Sequence, residues 1–114
     1  MPKWLKKSAE IQRVVFNPGL AITSIDYWFS GCTALKRIEG IPRTVQSANG
    51  TFDGCKSLTG TIDFGEKVHS VNGIFNGTKH QITVAATGTT RKTFQEYLKI
   101  NKLKNIKIKE VNDK

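Results

Sequence analysis

The sequence predicts one repeat-built α/β domain, in which the short strands and turns of successive repeats stack on one another. The first observation behind this prediction is a four-letter string that recurs at a fixed interval. It reads FSGC from Phe29, FDGC from Phe52 and FNGT from Phe75, so the interval is 23 residues both times. A fixed period of this length is typical of stacked repeats, and a chain of 114 residues suits one domain.

The second observation is that apolar residues recur in register with the anchor phenylalanines Phe29, Phe52 and Phe75. The first repeat departs from this register with Phe16 at −13, and the third repeat has Ile82 one residue late. One repeat alone cannot bury these side chains, whereas stacking equivalent residues makes a continuous core. The recurring positions are −4 (Ile25, Ala48, Val71), −7 (Ile22, Val45, Val68), −11 (Ile41, Phe64) and +6 (Leu35, Leu58).

Each repeat is expected to contain one short strand followed by a turn. The predicted strands are 12–16, 37–41, 60–64 and 81–85, and turn signals follow at NPG, IPR and FGEK. The −7, −4 and anchor positions are spaced three and four residues apart, which predicts a short helical or 3₁₀ segment. The glycine of the four-letter string is then predicted to turn the chain with a positive φ.

Taken together, these positions give the chain a family resemblance. The matching residues are Leu35, Ile38, Ile41, Pro42, Val45, Ala48, Phe52, Gly54, Cys55 and Leu58. In this arrangement residues 11–86 resemble the BspA-type leucine-rich repeats of bacterial surface proteins, and similar repeats occur in phage-encoded proteins. The resemblance implies an α/β repeat fold: a short right-handed leucine-rich-repeat solenoid of about three to four rungs, with a C-terminal capping helix and strand. It also implies a binding or adhesion module.

Both ends of a short stack need caps, because an open end exposes apolar side chains. A helix is predicted over 91–101, with Thr93 and Glu96 as a capping box or Thr90 as the alternative N-cap. The alternation in NIKIKEV then predicts a half-exposed strand. The expected organisation is an N-terminal cap at 1–15, repeats at 16–86 and a C-terminal cap at 87–114. The apolar residues at helical spacing in the cap are Phe94, Tyr97 and Leu98.

The net charge of +9 is concentrated at the two ends of the chain. Residues 1–20 carry four basic and one acidic side chain, residues 21–90 six and five, and residues 91–114 eight and three. Such ends are either solvated or in contact with nucleic acid, acidic protein or phosphate. Trp4 is interpreted as a capping residue, with base stacking as the alternative. The candidate basic-contact residues are Lys3, Trp4, Lys6, Lys7, Lys102, Lys104, Lys107 and Lys109.

Tyr27 and Trp28 form the candidate protein-contact site. They stand just before Phe29, where the later repeats have Gly50-Thr51 and Gly73-Ile74. Aromatic bulk at this position in one repeat only indicates either a cap or a contact surface, since aromatic side chains are common anchors of interfaces.

The chain shows no recognisable catalytic or metal-binding motif. Cys32 and Cys55 occupy equivalent repeat positions and are interpreted as buried thiols, with a disulfide as the alternative that the stacking distance permits. A structural zinc site needs about four ligands, and neither His69 nor His80 has ligand spacing with the cysteines. We therefore predict a protein that is not an enzyme and that uses no metal or cofactor.

The predicted function is that of a protein-interaction or structural module in a bacterial-surface or phage context, as a virion or accessory protein. Its expected partner is a protein, with association of copies as a further option. The alternative is a phage-encoded nucleic-acid-binding or inhibitor protein that uses its basic termini. The chain has no apolar run of about 20 residues, which predicts no membrane insertion. Its start lacks a signal-peptide pattern, which predicts a cytoplasmic or virion location, or an excised domain of a surface protein.

Overall fold

The structure is a computed structural model that describes residues 10–17 and 19–110, without the side chain of Glu110. Its hydrogen-bonded strands are all parallel and form two sheets, one of two strands and one of three. The strands are β1 (Arg13–Val15), β2 (Arg37–Glu39), β3 (Gly60–Asp63), β4 (Ile82–Ala86) and β5 (Ile106–Glu110), and helix α1 is Gly88–Asn101. The sheet orders are β1–β2 and β3–β4–β5.

The first four strands lie where the repeat predicts them, with ends that differ by at most two residues from the predicted ranges. Ile38 and Ile62 are buried, and their neighbours along the strand are mainly exposed. This is the period of two expected of a strand with one face on the core. The two sheets meet where β2 lies beside β3, and there the Thr59 N–H donates to the Lys36 carbonyl at 3.1 Å.

A second line of parallel contacts runs through the described repeats. Ser24 pairs with Ser47, and Ser47 pairs with Ser70, as isolated β-bridges. The first repeat therefore contacts the second, and the second contacts the third, at this serine position as well as along the strand side of the stack.

The core contains a column of phenylalanine rings. The rings of Phe29 and Phe52 are 5.9 Å apart and nearly parallel, at 8°. Those of Phe52 and Phe75 are also 5.9 Å apart, at 11°. All three side chains are buried, as are both thiols, Cys32 and Cys55. The prediction that the anchor positions form a continuous core is confirmed, and stacked aromatic pairs add to the free energy gained by burial.

The predicted short helical segment is wrong. Residues 26–31, 49–54 and 72–77 form consecutive turns instead. Bonds between residues three apart do occur, as from the Trp28 N–H to the Ile25 carbonyl at 3.1 Å. However, Tyr27 and Gly50 have positive φ, of 61° and 60°, and this interrupts any helix. The glycine that follows the anchor does turn the chain as predicted, since Gly54 has a φ of 82°.

Helix α1 begins three residues before the predicted start, and its N-cap is Thr87, without a side-chain capping bond. The predicted capping roles of Thr90 and Thr93 are wrong because both hydroxyls bind the third repeat. Thr90 Oγ1 accepts the Val68 N–H at 3.0 Å, and Thr93 Oγ1 donates to the Val68 carbonyl at 2.9 Å. These threonines therefore fix α1 to the stack and do not initiate the helix.

Phe94 and Tyr97 continue the aromatic column beyond the third repeat. The Phe94 ring lies 5.1 Å from that of Phe64 and 6.1 Å from that of Phe75. The Tyr97 hydroxyl accepts the Phe75 N–H at 3.2 Å. In the two earlier repeats the equivalent N–H donates to a backbone carbonyl of the next repeat. Helix α1 thus takes the place of a further repeat at the aromatic column.

Strand β5 follows α1 and pairs with β4, which confirms the predicted final strand. Ile106 is buried and Ile108 is half-buried, while Lys107 and Lys109 are exposed. Among the described residues, no helix has the length and apolarity needed to cross a membrane. The right hand of the stack and its leucine-rich-repeat class stay predictions.

Candidate functional site

Tyr27 has an unusual backbone conformation at an exposed corner of the first repeat. Its φ is 61°, in the left-handed region, and its side chain keeps 56% of its surface exposed. The equivalent residues in the later repeats are Gly50 and Gly73, with φ of 60° and 67°. This turn therefore needs the conformation that glycine adopts easily, and a bulky residue there carries strain of roughly 1–3 kcal/mol.

The Tyr27 ring is held by the glycine of the next repeat. It lies over Gly50 so closely that a Cβ at Gly50 would overlap the ring. The backbone also joins the two residues' repeats here, because the Tyr27 N–H donates to the Asn49 carbonyl at 2.8 Å. The exposed aromatic side chain is therefore presented in a defined orientation.

Trp28 has a different environment from Tyr27, although the two are adjacent in sequence. Its ring stacks on Phe16 at 6.3 Å and meets Phe29 edge-on at 6.5 Å. It is half-buried and closes the phenylalanine column at the first repeat. Of the two interpretations of this aromatic pair, Trp28 fits the cap and Tyr27 fits the contact surface.

An apolar groove lies next to Trp28 at the first-repeat end of the stack, with a volume of about 600 Å³. Val15 and Leu20 in this groove are 60% and 39% exposed. We call this surface the end groove. Arg13 and Asn17 border it, and its apolar lining is Ile11, Val14, Val15, Phe16, Leu20, Ile22 and Trp28. It is the one end of the phenylalanine column over which the described part of the chain places no helix.

A ladder of polar side chains, which the sequence analysis missed, joins the three repeats on the serine side. Asp26, Asn49 and Asn72 occupy equivalent positions. The Asn49 N–H donates to Asp26 Oδ1 at 2.8 Å, and the Asn72 N–H donates to Asn49 Oδ1 at 2.7 Å. Its signal was in the sequence, since Ser-x-Asp or Ser-x-Asn recurs at 24–26, 47–49 and 70–72 with the same 23-residue period.

Serine hydroxyls complete each step of this ladder. Ser47 Oγ donates to Asp26 Oδ1 at 2.6 Å, and Ser70 Oγ donates to Asn49 Oδ1 at 2.8 Å. Burial raises the pKa of Asp26, but the hydrogen bonds from Ser47, Asn49 and Ser24 outweigh it and hold the pKa below its ordinary value. The Asp26 carboxylate therefore acts as a hydrogen-bond acceptor that joins the first and second repeats.

The four candidate lysines of the C-terminal cap are not brought to one site by a common element. Lys107 and Lys109 are exposed on β5, the edge strand of its sheet, whereas Lys102 and Lys104 lie exposed in the connection from α1 to β5. Lys102 has a φ of 52° and closes α1, its N–H donating to the Leu98 carbonyl at 2.9 Å. The N-terminal candidates Lys3, Trp4, Lys6 and Lys7 lie outside the described residues.

Both cysteines are buried in the core, and neither is part of a disulfide. Burial raises the pKa of Cys55 to about 12, and the neighbouring Cys32 adds to this rise. A thiol with such a pKa is a poor nucleophile at neutral pH. His69 and His80 are exposed, and the described residues contain no group of three or more His, Cys, Asp or Glu side chains that could hold a metal ion. The disulfide alternative is wrong, because Cys32 and Cys55 are not bonded to each other.

Comparison with protein-family models, with curated proteins and with solved structures finds no match for this chain. The resemblance seen in the sequence and the contacts described above are therefore the basis for the function proposed below.

Proposed function

We propose that this chain is a non-enzymatic protein-interaction module built on leucine-rich repeats, and that it contacts a protein partner through Tyr27 and the end groove. The observation that carries the proposal is the left-handed conformation of Tyr27. Both later repeats have glycine at this position, and glycine adopts a positive φ without strain. The first repeat instead carries an exposed aromatic ring there. Strain that persists at an exposed position supports a functional role for the side chain.

The end groove supports the same conclusion by a separate route. A protein contact there would cover exposed apolar surface from Val15 and Leu20, and it would continue the core that ends at Trp28. Aromatic residues beside a water-excluding apolar rim are the usual arrangement of an interface hot spot. A bacterial-surface or phage setting is the context that the sequence resemblance suggests for such a module.

The experiment begins by placing a photo-crosslinking amino acid at position 27 and, in a separate variant, at the exposed position 56. Both are expressed in the native cells, and crosslinked proteins are identified by mass spectrometry. We expect a defined partner from position 27 and none from position 56. Equal yields from both positions would contradict the proposal.

Substitutions then test the ring itself with the purified partner. Tyr27→Gly restores the residue of the later repeats, so its unfolding free energy should stay within about 1 kcal/mol of the unsubstituted protein. Its affinity should fall at least about tenfold, as expected when a hot-spot ring is removed. Tyr27→Phe is the matched control, since it keeps the ring and should keep most of the affinity. A folded Tyr27→Gly protein that binds as tightly as the original would rule out this surface.

The second candidate function is nucleic-acid binding, and the exposure of the C-terminal lysines favours it. Two basic side chains of the repeats, by contrast, are paired with carboxylates, Arg13 with Glu39 and Arg43 with Asp63. Binding of a labelled 20-nucleotide strand would then fall steeply as salt is raised from 50 to 300 mM. Changing the four C-terminal candidates to glutamine should abolish it. Undetectable binding at low salt, or equal binding by the quadruple variant, excludes this function. The four candidates are Lys102, Lys104, Lys107 and Lys109.

A further inference from the structure

The serine side of the stack uses one set of hydrogen bonds at each step between repeats. The residue after the ladder serine donates its N–H to the next serine carbonyl: Ile25 to Ser47 at 3.0 Å, and Ala48 to Ser70 at 2.8 Å. In the first repeat Tyr27 donates its N–H to the Asn49 carbonyl, and in the second the equivalent bond runs from Gly50 to Asn72, both at 2.8 Å. Each repeat thus offers two N–H donors, two residues apart, and one side-chain acceptor.

The third repeat offers the same groups, but nothing in the described chain receives them. The equivalent donors are the N–H groups of Val71 and Gly73, and neither has an acceptor among the described residues. The equivalent acceptor is Oδ1 of Asn72, which receives no hydrogen bond from the described residues either. Helix α1 replaces the other contacts of a fourth repeat, through Val68 and Phe75, but it does not reach this edge.

These groups line a cleft between the third repeat and α1, with a volume of about 650 Å³. Val71, Asn72 and Gly73 form one wall, and Lys92 and Glu96 of α1 stand on the other. This volume lies within the usual range for ligand pockets. Two backbone donors two residues apart, with a side-chain acceptor between them, are what a further extended segment requires to continue the stack.

We propose that this cleft binds an extended acidic peptide segment of a partner protein that carries Ser-x-Asp, and that the segment takes the place of a fourth Ser-x-Asn. The Ser and Asp carbonyls would accept the N–H groups of Val71 and Gly73. The Asp N–H and the Ser hydroxyl would donate to Asn72 Oδ1, as Asn49 and Ser47 donate to Asp26. The Asn72 amide N–H would donate to the Asp carboxylate.

Charge favours an acidic segment. Lys92 and Glu96 on the α1 wall have opposite signs, so the wall has no net charge of its own, whereas the whole chain carries +9. The field of the chain therefore attracts an acidic segment and favours Asp over Asn in the third position.

A second copy of this chain does not fit the cleft in the register of the stack. Stacking its first repeat there would place the Phe29 ring of that copy over Phe75. Phe94 and Tyr97 already occupy this position, at 6.1 Å and 6.4 Å from the Phe75 ring. A single extended segment avoids this conflict, because it needs only the edge beyond the aromatic column.

The probe for the test is a fluorescein-labelled peptide with the sequence ITSIDY, which copies residues 22–27. Fluorescence anisotropy should show saturable binding to the full chain. Ala in place of the peptide Ser, and N-methylation of the peptide Asp, should each weaken binding about tenfold, because each removes a hydrogen bond to Asn72. NMR spectra should show that the amides of Val71 and Gly73 shift on binding and are protected from exchange.

Variants of the protein locate the site. Asn72→Leu should weaken binding about tenfold or more. Gln46→Leu replaces another exposed amide side chain, which lies outside the cleft, and should leave binding within about twofold. Asn72→Asp is a second variant, which tests the site even if Asn72→Leu does not fold. It keeps the acceptor but repels the peptide Asp, so it should prefer ITSINY to ITSIDY.

Several results would overturn the proposal. They are the absence of saturable binding, equal binding of the two control peptides, equal binding by Asn72→Leu, or shifts confined to other amides. Analytical ultracentrifugation can give a further contradicting result. If the chain associates with itself and Asn72→Leu abolishes that association, the cleft binds a second copy and not a partner's peptide. These outcomes do not depend on Tyr27, which lies on the first repeat, so this proposal and the proposed function fail separately.

Discussion

The side-chain oxygen of Asn49 accepts the backbone N–H of Asn72 at 2.7 Å, while the Asn49 amide donates back to Asp26 Oδ2 at 3.4 Å and Ser47 Oγ at 3.1 Å. One side chain thus joins all three repeats. Asn72 has the same residue type at the same repeat position, but its side chain has no further repeat to contact in the described chain. The two asparagines form a natural matched pair.

Replacing Asn49 with alanine should therefore destabilise the protein much more than replacing Asn72. Asn49→Ala leaves the exposed Asn72 N–H and the part-buried Ser70 hydroxyl without their acceptor, which costs roughly 1–2 kcal/mol. Asn72→Ala should cost less than about 0.5 kcal/mol. Urea unfolding of the two variants measures both values. Equal losses would show that the ladder does not contribute to stability.

Gly50 should tolerate alanine less well than Gly73. Both have positive φ, which costs an alanine roughly 1 kcal/mol. A Cβ at Gly50 would also overlap the Tyr27 ring, whereas at Gly73 it would meet only the Asn76 amide at 3.2 Å. Overpacking should add about 1–3 kcal/mol to the destabilisation by Gly50→Ala. The urea midpoint of Gly50→Ala should therefore be clearly lower than that of Gly73→Ala. If Tyr27→Gly does not relieve the defect of Gly50→Ala, the overlap is not its cause.

The low pKa of Asp26 predicts a loss of stability in acid. The hydrogen bonds to its carboxylate lower the pKa in the folded state below the unfolded value, which is about 3.9. The resulting stabilisation is fully present above that value and is lost as the pH falls through the folded pKa. Asp26→Asn removes the titrating group. Urea midpoints measured from pH 6 to pH 2 should fall less for this variant than for the unsubstituted protein, and parallel curves would contradict the assignment.

Tyr97→Phe should loosen the contact between α1 and the third repeat without removing the helix. The ring packing on Phe75 and Phe94 is kept, but the Phe75 N–H loses its acceptor. We expect a loss of about 1–2 kcal/mol and faster hydrogen exchange of the Phe75 amide. Phe94→Ala is the comparison, since it removes a buried ring and should cost about 3–5 kcal/mol. An unchanged exchange rate at Phe75 in Tyr97→Phe would show that the bond is not maintained in solution.

The sequence predicts the buried apolar positions of this fold better than its polar contacts. Ile25, Ala48 and Val71 are buried as their common position requires, because a stacked repeat leaves them no other environment. The start of α1 is missed because Thr90 has a tertiary partner that no local capping rule can reveal. The predictions for residues 1–9 lie outside the described residues.

The two candidate sites differ in how far they can be predicted from the sequence. Tyr27 stands out because Gly50 and Gly73 share its position, and from these the positive φ could have been expected. The cleft at Asn72 could not have been located in the same way. Its backbone donors become available only because α1 leaves the stack edge open, and that depends on how the helix packs.

Helix α1 ends the stack, so the number of layers depends on how many repeats precede it. Since each repeat passes the same hydrogen bonds to the next, insertion of another copy of residues 53–75 after Phe75 would give α1 the same neighbours as before. The inserted layer would lengthen the molecule by about 4.8 Å, the spacing of adjacent strands. The two ends would be unchanged and only the distance between them would grow. The architecture is in this sense a spacer whose length can be set one layer at a time.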